Sequence, residues 1–319
     1  MVPASIYLLT DIGTIKRGLS MYLGISIDRT KLKATVLDGQ LNTLYSSQQN
    51  LIQTAQELKQ QVFQLIDNFQ WAYSSFTSIG LAVTDEMHFW LTQHHLALET
   101  LIEQRYRIPC TVTDFVQAGL QCSPEVLTKI KLGEVLCAIV DNECELYCAT
   151  RTRRGISKRT LRPIPWAHMP LPEYDFVLDG LVTACRCSSE ACTEQFLSVS
   201  GLERQYEQIL LKRAGVKDIL GALEQGDPIA ARTYRRYIDQ LARALNPHIE
   251  SHLPRTLLLL GSVSRYSSIS SDLKVALSRY CGISPLPTIL ALPYEDFFIA
   301  RGAVQTKQQL IARQVRLRA

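Results

Sequence analysis

The chain has 319 residues, which is too long for a disulfide-stapled miniprotein and long enough for about two domains, each with its own hydrophobic core. Hydrophobic residues make up 46% of the sequence and charged residues 20%, and this composition excludes a fully disordered chain. Because 34 Lys and Arg stand against 30 Asp and Glu, the net charge of +4 is too small to indicate a nucleic-acid-binding protein by itself.

The sequence contains no apolar stretch of the roughly 18 residues that a membrane span requires. Its first residues lack a basic flank and carry Asp11 inside their apolar stretch, so we expect no secretory signal. These features predict a cytoplasmic protein that does not cross a membrane. The nine cysteines are an odd number in a reducing compartment, which disfavours a complete disulfide framework and favours metal ligation wherever cysteines cluster.

The first part of the chain predicts a mixed α/β lobe over residues 21–120, to which we assign the last predicted helix, 295–319. Residues 22–36 alternate apolar and polar side chains and predict a β-hairpin that turns near residues 28–31. The elements predicted after this hairpin are a strand at 41–45, a helix at 54–68, a buried strand at 78–83, a helix at 96–105 and a strand at 110–113.

Residues 121–294 predict a second α/β lobe, which opens with another hairpin over residues 134–149. Because a hairpin opens each half, the two lobes are interpreted as related. Helices dominate from residue 203 to 253, and an apolar stripe on the helix over 228–253 is interpreted as a dimerisation surface. The elements predicted after it are a buried strand at 257–260 that ends at Gly261, a helix at 270–280 and a strand at 288–291.

The strongest chemical signal is a cluster made of His168, Cys185, Cys187 and Cys192. Three thiolates and one imidazole form a complete tetrahedral shell for Zn²⁺, and four protein ligands without an open position predict a structural site. The alternative is that these are free cysteines of a reduced protein. The remaining cysteines lie on predicted strands or helices and are interpreted as small hydrophobic residues: Cys110, Cys122, Cys137, Cys144, Cys148 and Cys281.

The segment that carries this cluster resembles the signature of the ROK family, which groups sugar kinases with sugar-responsive transcriptional repressors on an actin-like, ribonuclease-H-like fold. The family pattern is GH followed by C-x-C-G-x-x-G-C-x-E, and this chain has AH at 167–168 followed by CRCSSEACTE at 185–194. Ser188 and Ala191 replace the two glycines, whereas all four zinc ligands are matched. Weaker similarities extend over residues 22–304, and the repressor branch is the most similar. The resemblance implies a two-lobed α/β fold with mixed sheets flanked by helices.

Phosphoryl transfer from ATP needs glycine-rich turns whose backbone amides can approach the phosphates. Where kinases of the family have D-x-G-G-T, this chain has SIDRT at residues 26–30, and only Thr30 remains. The glycine-rich run that should open the second hairpin is reduced to Gly133. Two phosphate-binding turns are therefore predicted to be lost, so we expect ATP and Mg²⁺ to bind poorly if at all. The resemblance leaves Thr30 and Gly261 as candidate nucleotide contacts.

Asp114 falls where the resemblance places the catalytic base of the kinases, although Thr113 replaces the Asn that should precede it. A helix N-cap is the alternative interpretation of this Asp. For sugar recognition the resemblance implies His168 and Glu194, whereas Pro165 stands where the family has a third sugar-binding residue, a Glu. The resemblance therefore predicts two of the three sugar-binding residues and not the third.

Residues 1–20 resemble the recognition helix and the following turn of the winged helix-turn-helix that precedes the ROK body in repressors. The alternative is an amphipathic leader helix that packs on the body. Six basic residues between Arg151 and Arg162 could pair with the phosphates of nucleic acid or of a phosphosugar, although a solvated loop is the default interpretation.

Together these features predict a homodimeric, non-catalytic ROK-family regulator or scaffold in sugar metabolism, with structural zinc. DNA is a candidate partner through residues 1–20, and a sugar or phosphosugar is a candidate effector. We lean against an enzyme. The alternative is an ATP-dependent sugar kinase that phosphorylates a hexose or an N-acetylhexosamine with Asp114 as the base.

Overall fold

The computed structural model describes residues 20–304, except residues 53, 74, 123, 154, 157–159, 183–184, 186, 188 and 293–294. The predicted DNA-binding head at 1–20 lies outside the described residues apart from Ser20, and so does the part of the predicted last helix beyond residue 304. Three of the six residues of the basic stretch also lie outside them: Arg154, Lys158 and Arg159.

The first sheet has five strands in the order β3-β2-β1-β4-β5. Strand β1 pairs antiparallel with β2 and parallel with β4, and β5 continues the parallel part. Its elements in chain order are β1 (Tyr22–Ile27), β2 (Lys31–Leu37), β3 (Thr43–Asn50), α1 (Ala55–Tyr73), β4 (Ser78–Val83), α2 (Asp85–Gln93), α3 (Leu98–Tyr106) and β5 (Cys110–Asp114).

The second sheet has the order β11-β10-β6-β7-β8, and β9 pairs with β7 outside this path. Helices α4 (Phe115–Cys122) and α5 (Pro124–Lys129) lead into it. Its strands are β6 (Gly133–Val140), β7 (Cys144–Thr152), β8 (Gly155–Ile156), β9 (Arg162–Ile164), β10 (Thr256–Leu260) and β11 (Thr288–Ala291). The helices between them are α6 (Phe176–Asp179), α7 (Thr193–Leu197), α8 (Val199–Leu210), α9 (Val216–Glu224), α10 (Pro228–His252) and α11 (Ile269–Leu277).

The predicted α/β class is confirmed, because both sheets mix parallel and antiparallel strands and carry helices against them. Two interior strands with parallel neighbours on both sides, β4 and β10, are buried along their whole length, which explains their continuous apolar sequences. Helix α1 places Leu58, Val62 and Ile66 in the core of the first sheet, as its period of 3.6 residues predicts.

Helix α2 is an element that the sequence analysis did not include. It begins directly after β4, where the side chain of Thr84 accepts a hydrogen bond from the backbone N–H of Met87 and caps the first turn. Asp85 and Glu86 then place negative charge near the helix N-terminus, which stabilises it. The chain therefore turns into a helix directly after β4.

The apolar stripe of α10 lies in the core of the chain itself. Tyr237, Leu241, Leu245 and Ile249 are fully buried against the second sheet and its neighbouring helices. This stripe, interpreted from the sequence as a dimerisation surface, therefore presents no exposed apolar face to a second copy.

The helical residues 298–304 return to the first sheet and pack directly on its backbone. A Cβ atom on Gly24 of β1 would lie 1.9 Å from the carbonyl oxygen of Ala300, and one on Gly80 of β4 would lie 2.4 Å from that of Ala303. Only glycine permits this approach, so the end of the described chain covers one face of the first sheet.

Among the described residues, no helix combines the length and the apolar character that crossing a bilayer would demand.

Candidate functional site

The four predicted metal ligands come together in one cluster. The ligand atoms of His168, Cys185, Cys187 and Cys192 all lie within 4.8 Å of one another, and the Cys185 sulfur is 3.7 Å from Nδ1 of His168. Sulfurs bound to one tetrahedral Zn²⁺ at about 2.3 Å would stand about 3.8 Å apart. The donor set and its spacing therefore fit a single zinc ion with little rearrangement.

The backbone around the cluster explains how residues distant in sequence converge. Pro170 and Cys192 form an isolated antiparallel bridge, and the N–H of Glu194 donates to the carbonyl of Ala167 at 2.7 Å. These bonds place His168 beside Cys192, which is the residue before helix α7. The loop is thus tied at its two ends by main-chain bonds, and a metal ion would fasten its middle.

The thiols of the cluster differ in acidity. Hydrogen bonds from Ser189 lower the pKa of Cys187 to about 6, whereas burial raises the pKa of Cys192 to about 12. Zn²⁺ binds the thiolate form, so Cys187 is already suited to ligation and Cys192 would have to release its proton on binding.

Beside this cluster, hydrogen bonds within the turn of the first hairpin fix its conformation. The Oδ1 atom of Asp28 accepts hydrogen bonds from the backbone N–H and the hydroxyl of Thr30, at 2.7 and 2.8 Å, and from the N–H of Lys31. The predicted nucleotide contact Thr30 therefore donates its hydroxyl hydrogen to Asp28.

Arg29 joins this turn to the turn between β6 and β7. Its backbone N–H donates to Oε1 of Glu143 at 2.5 Å, and its guanidinium lies 2.7 Å from Glu86 and 3.5 Å from Glu194. We call the residues Asp28, Arg29, Glu86, Glu143 and Glu194 the cleft network. The turn of the first hairpin, which the resemblance identifies with a phosphate-binding turn, thus bonds to the turn of the second hairpin.

Two further hydrogen bonds connect the elements of the first sheet to the hairpin of β6 and β7. The side-chain amide of Asn142 donates to Oδ2 of Asp28 at 3.0 Å, and the N–H of Asp85 donates to Oε1 of Glu145 at 2.6 Å. The hydroxyl of Tyr147 donates to the other oxygen of Glu145 at 3.1 Å. The first residue of α2 is therefore attached to strand β7.

Burial changes the acidity of the two glutamates on this hairpin. Glu143 is only 4% exposed, and its desolvation, together with the nearby carboxylates of Asp28 and Glu86, raises its pKa to about 8. Desolvation also raises the pKa of Glu145 well above its ordinary value. At neutral pH burial therefore favours the protonated form of Glu143.

The structure gives local partners to the remaining predicted site residues. Oδ1 of Asp114 accepts the N–H of Gln117 at 2.7 Å, which is the bond of an N-cap on α4. Oε2 of Glu194 accepts the N–H of Cys144 at 3.2 Å, while its other oxygen faces Arg29. His168 faces the metal cluster.

Gly261 has a structural reason to be glycine. Its φ is 111°, and a Cβ there would lie 2.1 Å from the carbonyl oxygen of Val140. The next residue, Ser262, donates its hydroxyl hydrogen to Asp141 at 2.7 Å. The end of β10 therefore packs against the backbone at the end of β6.

Sequence reasoning missed the roles of Arg29, Glu143 and Glu145. The signal available for the two glutamates was their position on either side of Cys144, within an apolar hairpin that offers them little water. Arg29 appeared only as the residue that replaces a glycine. Its partner Glu143 is 114 residues away, so no local pattern could identify the contact.

Comparison with known proteins gives a family match over part of the chain. The profile of the ROK family matches residues 166–307. An N-acetyl-D-glucosamine kinase of Salmonella arizonae is 28% identical over 142 residues, which are 43% of this chain and 47% of that relative. The corresponding kinase of Escherichia coli is 27% identical over the same length. The match thus spans about half the length of the curated relatives.

Solved structures show similarity over most of the chain. A ROK family glucokinase from Streptomyces griseus, in complex with glucose and AMPPNP, has a TM-score of 0.67 at 19% identity and covers 92% of this chain and 100% of its own. A ROK family transcriptional regulator, a homologue of the Escherichia coli Mlc protein, has a TM-score of 0.68 at 15% identity and covers 91% of this chain and 78% of its own. These similarities show the actin-like ATPase fold, and they do not distinguish kinases from repressors.

Proposed function

We propose that this chain, in which residues 166–307 form a ROK family domain, is a non-catalytic regulator or scaffold in sugar metabolism. The observation that carries the proposal is the closed cleft network. Arg29 lies in the turn where the resemblance would place a phosphate of ATP, and its backbone N–H is bonded to Glu143 in the turn of the second hairpin. The side chain of Arg29 thus belongs to a turn whose backbone amides would have to face the phosphates of ATP.

Charge also opposes a nucleotide at this position. Four of the five residues in the cleft network carry carboxyl groups, and the guanidinium of Arg29 already contacts two of them. A triphosphate would add negative charge beside Glu86 and Glu194 in a partly buried site, where like charges repel more strongly than in water. The bulk of the Arg29 side chain and the negative charge of the neighbouring carboxylates therefore both oppose nucleotide binding.

The metal cluster has a structural role in this proposal. Zn²⁺ held by His168, Cys185, Cys187 and Cys192 would fix the loop that precedes helix α7. Glu194 lies two residues after Cys192 and contacts Arg29, so the metal loop also supports the closed cleft. In this arrangement the metal ion would stabilise the conformation of the loop. With four protein ligands it would have no open coordination position for a hydrolytic reaction.

The regulator would act through partners that the resemblance implies. DNA would bind through residues 1–20, which lie almost wholly outside the described residues, and a sugar or phosphosugar would be the effector. The resemblance of residues 1–20 to the recognition helix of the repressors is the observation that supports this branch of the proposal. A shift of promoter DNA that weakens with rising salt would test it.

The second candidate function is an ATP-dependent sugar kinase. It is favoured by the position of Asp114 at the carboxyl end of β5 and by the relatives named N-acetyl-D-glucosamine kinase. In such an enzyme Asp114 would accept the proton of the attacking sugar hydroxyl, and His168 and Glu194 would bind other hydroxyls. The N-cap bond to Gln117 and the contact of Glu194 with Arg29 oppose this candidate.

One experiment separates the two functions. The purified chain is titrated calorimetrically with ATP and Mg²⁺ and is then assayed for phosphorylation of a panel of hexoses and N-acetylhexosamines. We expect neither binding heat nor turnover. Turnover that Asp114→Asn abolishes, and that the exposed control Asp67→Asn leaves intact, would establish the kinase and reject the non-catalytic proposal.

A further inference from the structure

A groove lies at the end of the second sheet where β6, β10 and β11 begin. Its volume is about 360 Å³, and its lining includes Lys131, Arg255 and Pro287, each of which closely precedes one of these strands. The cleft network lies beyond the other end of β6, because Glu143 follows this strand. Strand β6 spans eight residues, which corresponds to roughly 25 Å. The groove is therefore separate from the cleft network.

Most of the groove is lined by apolar residues from the end of α10 and from the segment before β11. These residues are Leu253, Pro254, Ile283, Pro285, Leu286 and Pro287. Three of them are prolines, whose rings fix φ, so a ligand would have to order little of this wall on binding. Leu253 is 62% exposed, and its burial by a ligand would be favourable. We call this cavity the proline groove.

Two cationic side chains, Lys131 and Arg255, line the same groove. Neither forms a salt bridge within the part of the chain that the structure describes. The neighbouring carboxylate of Glu134 instead accepts the hydroxyl of Thr150 at 2.9 Å and the thiol of Cys148. An anion held between Lys131 and Arg255 would gain two attractions and reduce the repulsion between the like charges.

The main chain holds both cations at the groove. The N–H of Lys131 donates to the hydroxyl of Thr256 at 3.1 Å. The N–H of Arg255 donates to the carbonyl of Glu134 at 2.8 Å. The Arg255 side chain packs on Gly133, where φ is 113° and a Cβ would lie 3.2 Å from Cδ of the arginine. Gly133, the one glycine left where the resembled kinases have a glycine-rich run, thus supports an arginine at the opposite end of the strand from the cleft.

We propose that the proline groove binds a small organic anion, with its phosphate or carboxylate group between Lys131 and Arg255 and its apolar part against the proline-rich wall. Small-molecule sites have volumes of roughly 300–1,000 Å³ and a mostly apolar lining with a few polar groups that orient the ligand. Lys and Arg both bind phosphate and carboxylate oxygens. The inference does not rest on the proposed function, because the groove can be tested whatever the cleft binds.

The first test asks whether both parts of the ligand are needed. The full chain is titrated calorimetrically with hexanoate and hexyl phosphate, and with hexan-1-ol and inorganic phosphate as controls. At least one hexyl anion should bind with a dissociation constant of about 1 mM or below, and both controls should bind at least roughly tenfold more weakly. The tighter anion identifies the preferred head group. Binding of neither anion, or equally tight binding of a control, overturns the proposal.

The second test removes the charges and keeps most of the aliphatic stems. Lys131→Met and Arg255→Met should each weaken binding of the tighter hexyl anion by roughly fivefold or more. The matched control is Lys274→Met, an exposed cation on α11 that does not line the groove. Equal affinity in the wild type and in both groove variants overturns the proposed position of the anion.

The third test removes the apolar contact without endangering the fold. Leu253 and Leu211 each follow a helix in the left-handed conformation, with φ of 46° and 55°. Glycine adopts this conformation freely, so Leu253→Gly and Leu211→Gly should both keep or raise the thermal midpoint. Only Leu253→Gly should weaken binding of the hexyl anion, by roughly threefold or more. The same affinity in both variants overturns the proposed apolar wall.

Discussion

The metal loop and the two hairpin turns lie side by side, and they tolerate sequence change very differently. The loop needs four donor atoms, and this chain brings all four within 4.8 Å even though two glycines of the resembled signature are replaced. A phosphate-binding turn needs the absence of side chains, and the turn here that resembles one carries Arg29, whose backbone N–H is bonded to Glu143. A metal site is defined by its ligand atoms and tolerates substitutions around them. A phosphate-binding turn is defined by the space beside its backbone and is lost when a larger residue replaces glycine.

Glu194 connects the two regions. It follows the last cysteine of the cluster by two residues, accepts the N–H of Cys144 and faces Arg29. The metal loop thus supports the contact between the two hairpin turns within this chain. Four sets of substitutions distinguish the contributions of the metal ligands, of the hairpin turns and of the neighbouring helix cap to stability and ligand binding.

The largest effect is expected from removing a metal ligand. The purified chain should contain one Zn²⁺, and Cys192→Ser should lose it and unfold roughly 5–10 °C lower, because binding energy at a structural site is folding energy. Metal analysis and thermal unfolding measure both effects. The matched control is Cys281→Ser, which lies outside the cluster. A metal-free wild type would contradict the assignment of the donor set.

The next effect tests whether side chains block the cleft. Replacing both Arg29 and Glu143 with glycine, together with Glu86→Gln and Glu194→Gln, removes the contact between the turns, the bulk that occupies them and the two carboxylates that the loss of Arg29 would leave unpaired. Calorimetric titration should then show ATP and Mg²⁺ binding that is at least roughly tenfold tighter than in the wild type, or about 1.4 kcal/mol. Lys31→Gly is a control on the same turn. Unchanged affinity would show that the closed turns are not the barrier.

The third effect is a dependence of stability on pH. Burial raises the pKa of Glu143 from 4.5 to about 8, so the folded state binds this proton more tightly than the unfolded state. Its contribution is fully present below pH 4.5 and is lost as the pH rises through about 8. The thermal midpoint should therefore fall over this interval in the wild type and fall less in Glu143→Gln. Parallel curves for the two proteins would exclude Glu143 as the source.

The smallest effect distinguishes a helix cap from a catalytic base. Asp114→Ala should lower the unfolding free energy by about 1 kcal/mol, whereas Asp114→Asn should lower it by only a few tenths, since Asn caps a helix as well as Asp does. Chemical denaturation measures both values. An equal loss in the two variants would mean that the charge of Asp114, and not the cap, stabilises the fold.

The elements that sequence analysis predicted are those with a local pattern. The alternation over residues 22–36 and the apolar runs of β4 and β10 identified their strands, and the spacing of one histidine and three cysteines identified the cluster. Helix α2 was missed because its start depends on the cap at Thr84 and not on an apolar stripe. The contact between Arg29 and Glu143 depends on how two distant turns meet, which no window of sequence contains.

The packing of residues 298–304 on Gly24 and Gly80 has a consequence for biosynthesis. The ribosome releases the strands that carry these glycines long before it makes the helix that covers them. During that interval one face of the early sheet remains open to solvent or to chaperones, and it closes only when the late segment arrives. The first sheet can therefore complete its packing only after residues 298–304 have been synthesised, although its strands leave the ribosome much earlier.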